Sequence, residues 1–459
     1  MIDNKLFLFD FIHNNIKPKQ KEKQEYGEVF TPLNIIEELF ENLDIKYKEI
    51  NNSSIFEELN LKWGDITGSG IGNFSIVLYY RLMDGLKNII INENERKKHI
   101  IENMIYMAEY NINNIEICKN IFESNKHKLN LFHGDTLTLN TNKEWGIDNF
   151  DVIVGNPPYN KGGIRSSSGK YLGEKNETIW PRFVSKSFNL LKENGYLVFI
   201  HPLSWLKKSH SIHDLLLDKY IIYLKLWDNM KSKKTINGEI PLSLYVLHNI
   251  ENIHKNKTLI ISEMKRAGII TTSKVYLNKK YSIPLAYHDI FNKLMKFIEK
   301  NDCKLDVNTK TVKSIGVKEP LPSRYSINDN LGVDTYTIKE GTMVKELIQP
   351  HPDMNKEKLI ISNKSSFNGA FIDKGKLGLT GGNNFYILGD NLEFIKKILS
   401  FMICKIITQY TKYGQDFLNS EAFTYIPDLR KMNITSIEED EFYKLVGFDE
   451  KDIQDINQI

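Results

Sequence analysis

Residues 151–159 read Asp-Val-Ile-Val-Gly-Asn-Pro-Pro-Tyr, and the fold follows from how this stretch begins and ends. Asp151 to Gly155 is an apolar run with a β-branched centre, the pattern of a buried strand. Pro157 and Pro158 have no N–H and cannot continue a hydrogen-bonded ladder. They hold the backbone stiff and extended at the strand's carboxyl end, which is where open α/β sheets bind their ligands. Asn156 and Tyr159 therefore stand on a rigid corner. The Asn156 and Pro157 carbonyl oxygens suit the two N–H bonds of a planar amino group, and the Tyr159 ring suits its π-face. Taken alone, the stretch also fits a plain strand-ending turn. The motifs upstream decide between the two.

Gly27 to Pro32 reads GEVFTP. Thr31 is expected as a helix N-cap with Pro32 at the first helical position. Leu33, Ile36, Leu39, Phe40 and Leu43 follow as a core-facing stripe. Residues 65–74 read DITGSGIGNF, with a helix expected from about Ser75 to Leu86. A Gly-rich turn between strand and helix lets backbone approach a ligand closely and presents free N–H groups. A second apolar run, Met104 to Ala108, ends in Glu109. A helix over 113–122 and a strand over 129–132 lead to Gly134 and Asp135. Two acids at successive strand ends, downstream of such a turn, lie where a nucleotide's hydroxyls and base are gripped.

Downstream, Lys161 to Gly173 reads as a mobile loop. A helix is expected over 178–191, then strands over 195–200, 221–227 and 241–247. This alternation predicts an α/β fold: a Rossmann-like sheet of about seven strands with helices on both faces. Near residue 250 the pattern changes. Short strands, polar loops and one apolar helix over 392–410 predict a second, α+β domain. The expected division is a leading helix and connector (1–25), a catalytic domain (26–250), a second domain (251–435) and a tail (436–459).

The 459 residues are 41% hydrophobic, ample for two cores. No apolar run reaches the roughly 18 residues of a membrane span, so no membrane partner is expected. Acids near the start exclude a signal peptide. Cys118, Cys303 and Cys404 lie far apart in sequence, with neither metal spacing nor a disulfide framework, which predicts an intracellular setting and no metal. Net charge is only +3, yet Lys161 to Lys234 holds 14 Lys and Arg against 6 Asp and Glu. A basic zone of that kind beside the corner suits phosphates, although it also fits an ordinary solvated surface.

GEVFTP, DITGSGIGNF, Glu109, Asp135 and NPPY, in this order, resemble the S-adenosylmethionine-dependent N6-adenine DNA methyltransferases. The layout is similar to bacterial restriction–modification enzymes with a C-terminal target-recognition domain, and to their viral relatives. The resemblance covers about residues 26–250. It is weaker beyond, where Gly369 to Tyr386 and Glu421 to Asp428 look like the closing segments of recognition domains. It implies that Phe30, Thr31 and Pro32 line the cofactor cleft and that Asp65, Gly68 and Gly70 hold the methionine part. It places Glu109 on the ribose and Asp135 on the cofactor's adenine. Asn156, Pro157, Pro158 and Tyr159 would hold the target adenine, with Asn156 also facing the cofactor. Lys161 and Arg165 would hold DNA, and Tyr245 or His248 would stack on the flipped base. The expected partners are double-stranded DNA and a separately encoded restriction endonuclease, since 25 residues before the first motif leave no room for a fused nuclease. Two departures stand out: Ile66 replaces the family's proline, and the turn is one residue longer. No cysteine lies in a Pro-Cys context, which argues against cytosine-C5 chemistry. The same corner also serves enzymes that methylate protein glutamine, RNA bases or cytosine N4. A non-catalytic DNA-specificity subunit is the reading from a different class.

Overall fold

In the computed structural model, which describes residues 2–15, 30–161, 164–165, 171–172, 177–236, 240–252, 256–337, 340–364, 367–381, 384–414 and 418–458, the opening stretch forms a central strand. Val152, Ile153 and Val154 are fully buried within Phe150–Gly155. A run with no polar face suits a strand covered on both sides. The chain divides into two units, Met1–Lys280 and Tyr281–Ile459.

The first unit is built on nine strands: β1 (Trp63–Asp65), β2 (Ile105–Glu109), β3 (Asn130–His133), β4 (Phe150–Gly155), β5 (Leu191–Pro202), β6 (Lys219–Trp227), β7 (Leu242–Glu251), β8 (Thr258–Met264) and β9 (Ile269–Val275). Their order across the sheet is β9-β8-β6-β7-β5-β4-β1-β2-β3. The run β3-β2-β1-β4-β5 is parallel, and β7 lies antiparallel between β5 and β6. This is the Rossmann-like methyltransferase sheet, with two strands more than the expected seven. The additional pair lies beyond residue 250, where the sequence reading begins a second domain. Asn252 to Lys257 reads as a polar break. After it, Thr258, Ile260, Ser262 and Met264 alternate inward, β8 pairs parallel with β6, and β9 returns antiparallel after Gly268.

The strand order reverses between β1 and β4, so a crevice opens at their carboxyl ends. The register sets Asp65 beside Met107 and Val154, Glu109 beside His133, and Gly155 beside Phe199. Helix α1 (Leu33–Asn51) buries Ile36, Leu39, Phe40 and Leu43, and the Phe40 ring meets Phe56, Trp63 and Phe74 edge-on. Pro32, not Thr31, occupies its cap position, with no side-chain cap bond. Helix α1 is also tied to the sheet by charge. Lys225 Nζ lies 2.7 Å from Glu38 Oε1 and 2.7 Å from Glu263 Oε1, and the Tyr223 hydroxyl donates to Glu38.

The second unit holds a four-stranded and a three-stranded sheet, with a shared core of Val333, Ile360, Leu377, Leu379 and Tyr386. The expected helix over 392–410 is two helices, Leu392–Leu399 and Met402–Tyr410. The chain breaks at Phe401, which is extended and buries its ring against Phe442. The expected tail is helical over Glu439–Val446 and Glu450–Asn457. Most of the expected loop over 161–173 lies outside the described residues. No helix among the described residues is long and apolar enough to cross a membrane.

Lys225→Ala leaves the Glu38 and Glu263 carboxylates facing each other without their shared cation. The expected loss is about 3 kcal/mol, read as a fall of several degrees in the thermal unfolding midpoint. An unchanged midpoint would show that the cluster contributes nothing.

Candidate active site

Beyond β1 the chain turns through Thr67 to Gly72 into helix α2 (Asn73–Gly85). Gly68, Gly70 and Gly72 have φ of 99°, 57° and 86°, conformations that disfavour any side chain. At Gly70 a Cβ would also lie 2.9 Å from the Phe30 ring, so the turn carries an aromatic lid. The extra residue of this turn is absorbed here, where Gly72 N–H donates to the Ser69 carbonyl at 2.9 Å. Ile66, in the place of the family's proline, is fully buried.

Glu109 pins the turn to the end of β2. Its Oε2 accepts from Gly70 N–H at 2.7 Å, and its Oε1 accepts from the N–H groups of Tyr110 and Asn111 at 2.9 and 2.7 Å. Ser69 N–H donates to the Ala108 carbonyl at 3.0 Å. Asp65 lies beneath the turn, 2% exposed, and accepts from the Ser75 hydroxyl at 2.9 Å. Burial pushes its carboxyl up to about 7, opposed by the Ser75 bond and reinforced by the Glu109 charge. Asp135 follows β3 as an exposed cap of the short turn Thr136–Thr138, accepting from Leu137 N–H at 2.9 Å.

Strand β4 meets the turn from the other side. A Cβ on Gly155 would fall 2.2 Å from Thr67 Oγ1, so glycine permits the approach. The corner Asn156-Pro157-Pro158-Tyr159 follows. Asn156 is half-buried and its Nδ2 donates to Thr31 Oγ1 at 3.3 Å. Tyr159 is 8% exposed, and burial pushes its phenol well above the usual range.

These residues share one cavity of about 350 Å³, within the usual size of a small-molecule site. Its walls include Phe30, Thr31, Gly68, Gly70, Glu109, Asp135 and the whole Asn156–Tyr159 corner. Pro32 and Asp65 are not in its walls. Thr67, Ser69, Asn73, Tyr110, Ile179, Arg182 and Phe183 are, and the sequence reading missed them. The first four flank recognised motif residues, and their polarity within or beside a Gly-rich turn was the available signal. The last three come from the start of the helix Trp180–Leu190 and carry no local signal, since only the fold returns them to the cleft.

Tyr245 and His248 lie elsewhere. Tyr245, on β7, is fully buried among Phe199, His201 and Trp205 and shows no open face for a base. His201 Nδ1 is 3.0 Å from the Pro202 carbonyl and so donates to it, leaving Nε2 to accept from the Tyr245 hydroxyl at 3.0 Å. Burial holds His201 neutral, pushed down to about 3. His248 stacks on Tyr196 at 4.4 Å, at the far end of β5 from Phe199 and Gly155. Lys161 and Arg165 fall on short strands whose side chains lie outside the described residues.

The strand order and the cleft at its switch point define the fold of the S-adenosylmethionine-dependent methyltransferases. Residues 71–234 match the Eco57I restriction-modification methylase family, a span that includes Glu109, Asp135 and the Asn156 corner. The chain is 26% identical over 254 residues to the type II restriction enzyme and methyltransferase RM.Eco57I of Escherichia coli, covering 42% of this chain and 25% of that protein. It is 31% identical over 132 residues to an uncharacterized adenine-specific methylase of Mycoplasma pneumoniae, covering 27% and 29% of the two chains. The chain thus spans between a quarter and a third of the length of these two relatives. Among solved structures, the type IIL restriction-modification enzyme MmeI in complex with DNA is 12% identical, with a TM-score of 0.49, over 89% of this chain and 69% of that one.

Asp65 gives the site a signature in pH. Its folded carboxyl binds a proton more tightly than the unfolded one, so folding takes up a proton between about pH 4 and 7. Stability therefore falls as pH rises through that window, and the deficit is complete above about 7. Asp65→Asn removes this dependence. The variant is expected to lose less of its unfolding midpoint than wild type between pH 5 and 8; equal losses would place the titration elsewhere.

Proposed function

We propose that this chain is an adenine-N6 DNA methyltransferase that takes S-adenosylmethionine in the cleft of its first unit and reads duplex DNA with its second. The observation that carries the reading is one cavity holding both strand-end acids and the stiff Asn156–Tyr159 corner. A separately encoded endonuclease would complete a restriction–modification pair.

The cleft suits the cofactor chemically. Glu109 would take the ribose hydroxyls and Asp135 the adenine amino group. Thr67 Oγ1, Ser69 Oγ and Asn73 Oδ1 are buried without a hydrogen-bond partner among the described residues, and a polar amino-acid moiety would satisfy them. When bound, S-adenosylmethionine supplies a methyl group on a sulfonium, already electrophilic without a metal.

The protein's task is the nucleophile. The exocyclic nitrogen of adenine is weak because its lone pair is delocalised into the ring. Asn156 Oδ1 and the Pro157 carbonyl would accept its two N–H bonds, which favours a pyramidal nitrogen with its lone pair directed into the cleft. This is catalysis by positioning and preorganised dipoles. The proton the amine loses is already shared with a carbonyl oxygen, so no strongly basic side chain is needed. A base within a duplex cannot reach the corner and must be flipped out, at a cost of a few kcal/mol. Stacking on Tyr159 would return about 1–3 kcal/mol. Its raised phenol stays neutral throughout the working pH range, so the ring face is its useful part.

Asn156→Ala is expected to lower methyl transfer to DNA by about 100-fold or more, with the cofactor dissociation constant by calorimetry within about threefold of wild type. Tyr159→Phe is expected to retain most activity. Near-normal turnover in Asn156→Ala would overturn the assignment. A severe loss in Tyr159→Phe would mean that the hydroxyl acts instead of the ring.

A further inference from the structure

Thr31 does not do what its sequence position predicts. A threonine before a proline at the head of a helix normally caps that helix with its hydroxyl. Here the cap position is Pro32 and no side-chain cap bond forms. Thr31 is only 3% exposed, and a buried hydroxyl is costly unless it finds a partner. Its Oγ1 accepts from Asn156 Nδ2, 125 residues away, at 3.3 Å. Its backbone carbonyl accepts from Asn73 Nδ2 at 2.8 Å, and Asn73 is itself 4% exposed at the first position of α2.

We propose that Asn73 and Thr31 form a hydrogen-bonded chain that sets the orientation of the Asn156 amide, making Thr31 a positioning residue for methyl transfer; this rests on the reading of Asn156 given above. An Asn amide has a donor end and an acceptor end, and its terminal torsion is broad and nearly two-fold. Nothing within the side chain chooses between them. With Nδ2 committed to Thr31, Oδ1 is the end offered to an incoming amino group. Reversing the amide would set a donor against the donors of the target. Asn73 holds the Thr31 backbone, so the Gly-rich turn, the segment before α1 and the corner after β4 form one unit. Misplacement of a catalytic group by about 1 Å costs about 100-fold in rate, which bounds the effect expected here.

The test compares full-length Thr31→Val, which replaces the hydroxyl with a methyl of similar size, with Thr31→Ser, which keeps it. Thr31→Val is expected to lower kcat by about 10- to 100-fold, with the cofactor dissociation constant and the KM for DNA within about threefold of wild type. Thr31→Ser is expected to restore kcat to within about threefold. In the Asn156→Ala background, Thr31→Val is expected to cost nothing further. Asn73→Ala should act in the same direction as Thr31→Val and by less; unchanged kcat there removes Asn73 from the chain. A crystal structure of Thr31→Val supplies a readout independent of turnover, with the Asn156 side chain turned or split between two orientations. Wild-type kcat in Thr31→Val, a rate loss matched by lost cofactor affinity, or an unmoved Asn156 each overturn the proposal. If wild type transfers no methyl to DNA while Asn156 still turns in Thr31→Val, the positioning chain stands and the DNA assignment falls.

Discussion

The Glu109 carboxylate accepts three backbone N–H bonds, from Gly70, Tyr110 and Asn111, and the cleft takes its shape from that contact. A turn with three glycines in left-handed conformations has high entropy when free and no side chains to hold it. Glu109 supplies the restraint. Once the turn is fixed, α2 begins where Asn73 can reach Thr31, and Thr31 where it can reach Asn156. The cost appears one residue layer below. Asp65 is buried within the influence of the same carboxylate, and its proton affinity rises accordingly. The site thus places one carboxylate where backbone dipoles hold its charge and another where the Ser75 hydroxyl and a tightly held proton do so.

The sheet explains why these groups meet at all. Strands β1 and β4 are neighbours, yet their connections leave in opposite directions along the sheet. Gly155 lets β4 end against Thr67 without a side chain intervening. The two prolines then prevent the corner from folding back into the ladder. Rigid backbone on both sides of a cavity of about 350 Å³ suits a reaction governed by alignment.

The elements legible in the sequence were those with local causes. Glycine runs, paired prolines and acids at strand ends reflect backbone geometry, and the turn, Glu109, Asp135 and the corner all line one cleft. Long-range choices were not legible. Thr31 reads as a cap because capping is local, whereas its partner arrives 125 residues later. Tyr245 and His248 sit on a strand whose two faces look equally apolar in sequence. Neighbouring rings in the fold bury one and remove the other to the far end of β5. The polar stretch after β7 hid two further strands of the same sheet. The helix over 392–410 breaks because Phe401 finds Phe442, a contact no window of sequence contains.

The most direct measurement is the identity of the product. Duplex DNA incubated with the protein and S-adenosylmethionine would be digested to nucleosides for mass spectrometry and sequenced at single-molecule resolution. The account predicts N6-methyladenine confined to one sequence context. Methyl groups on cytosine alone, or none on DNA while the cofactor binds the cleft, would contradict it.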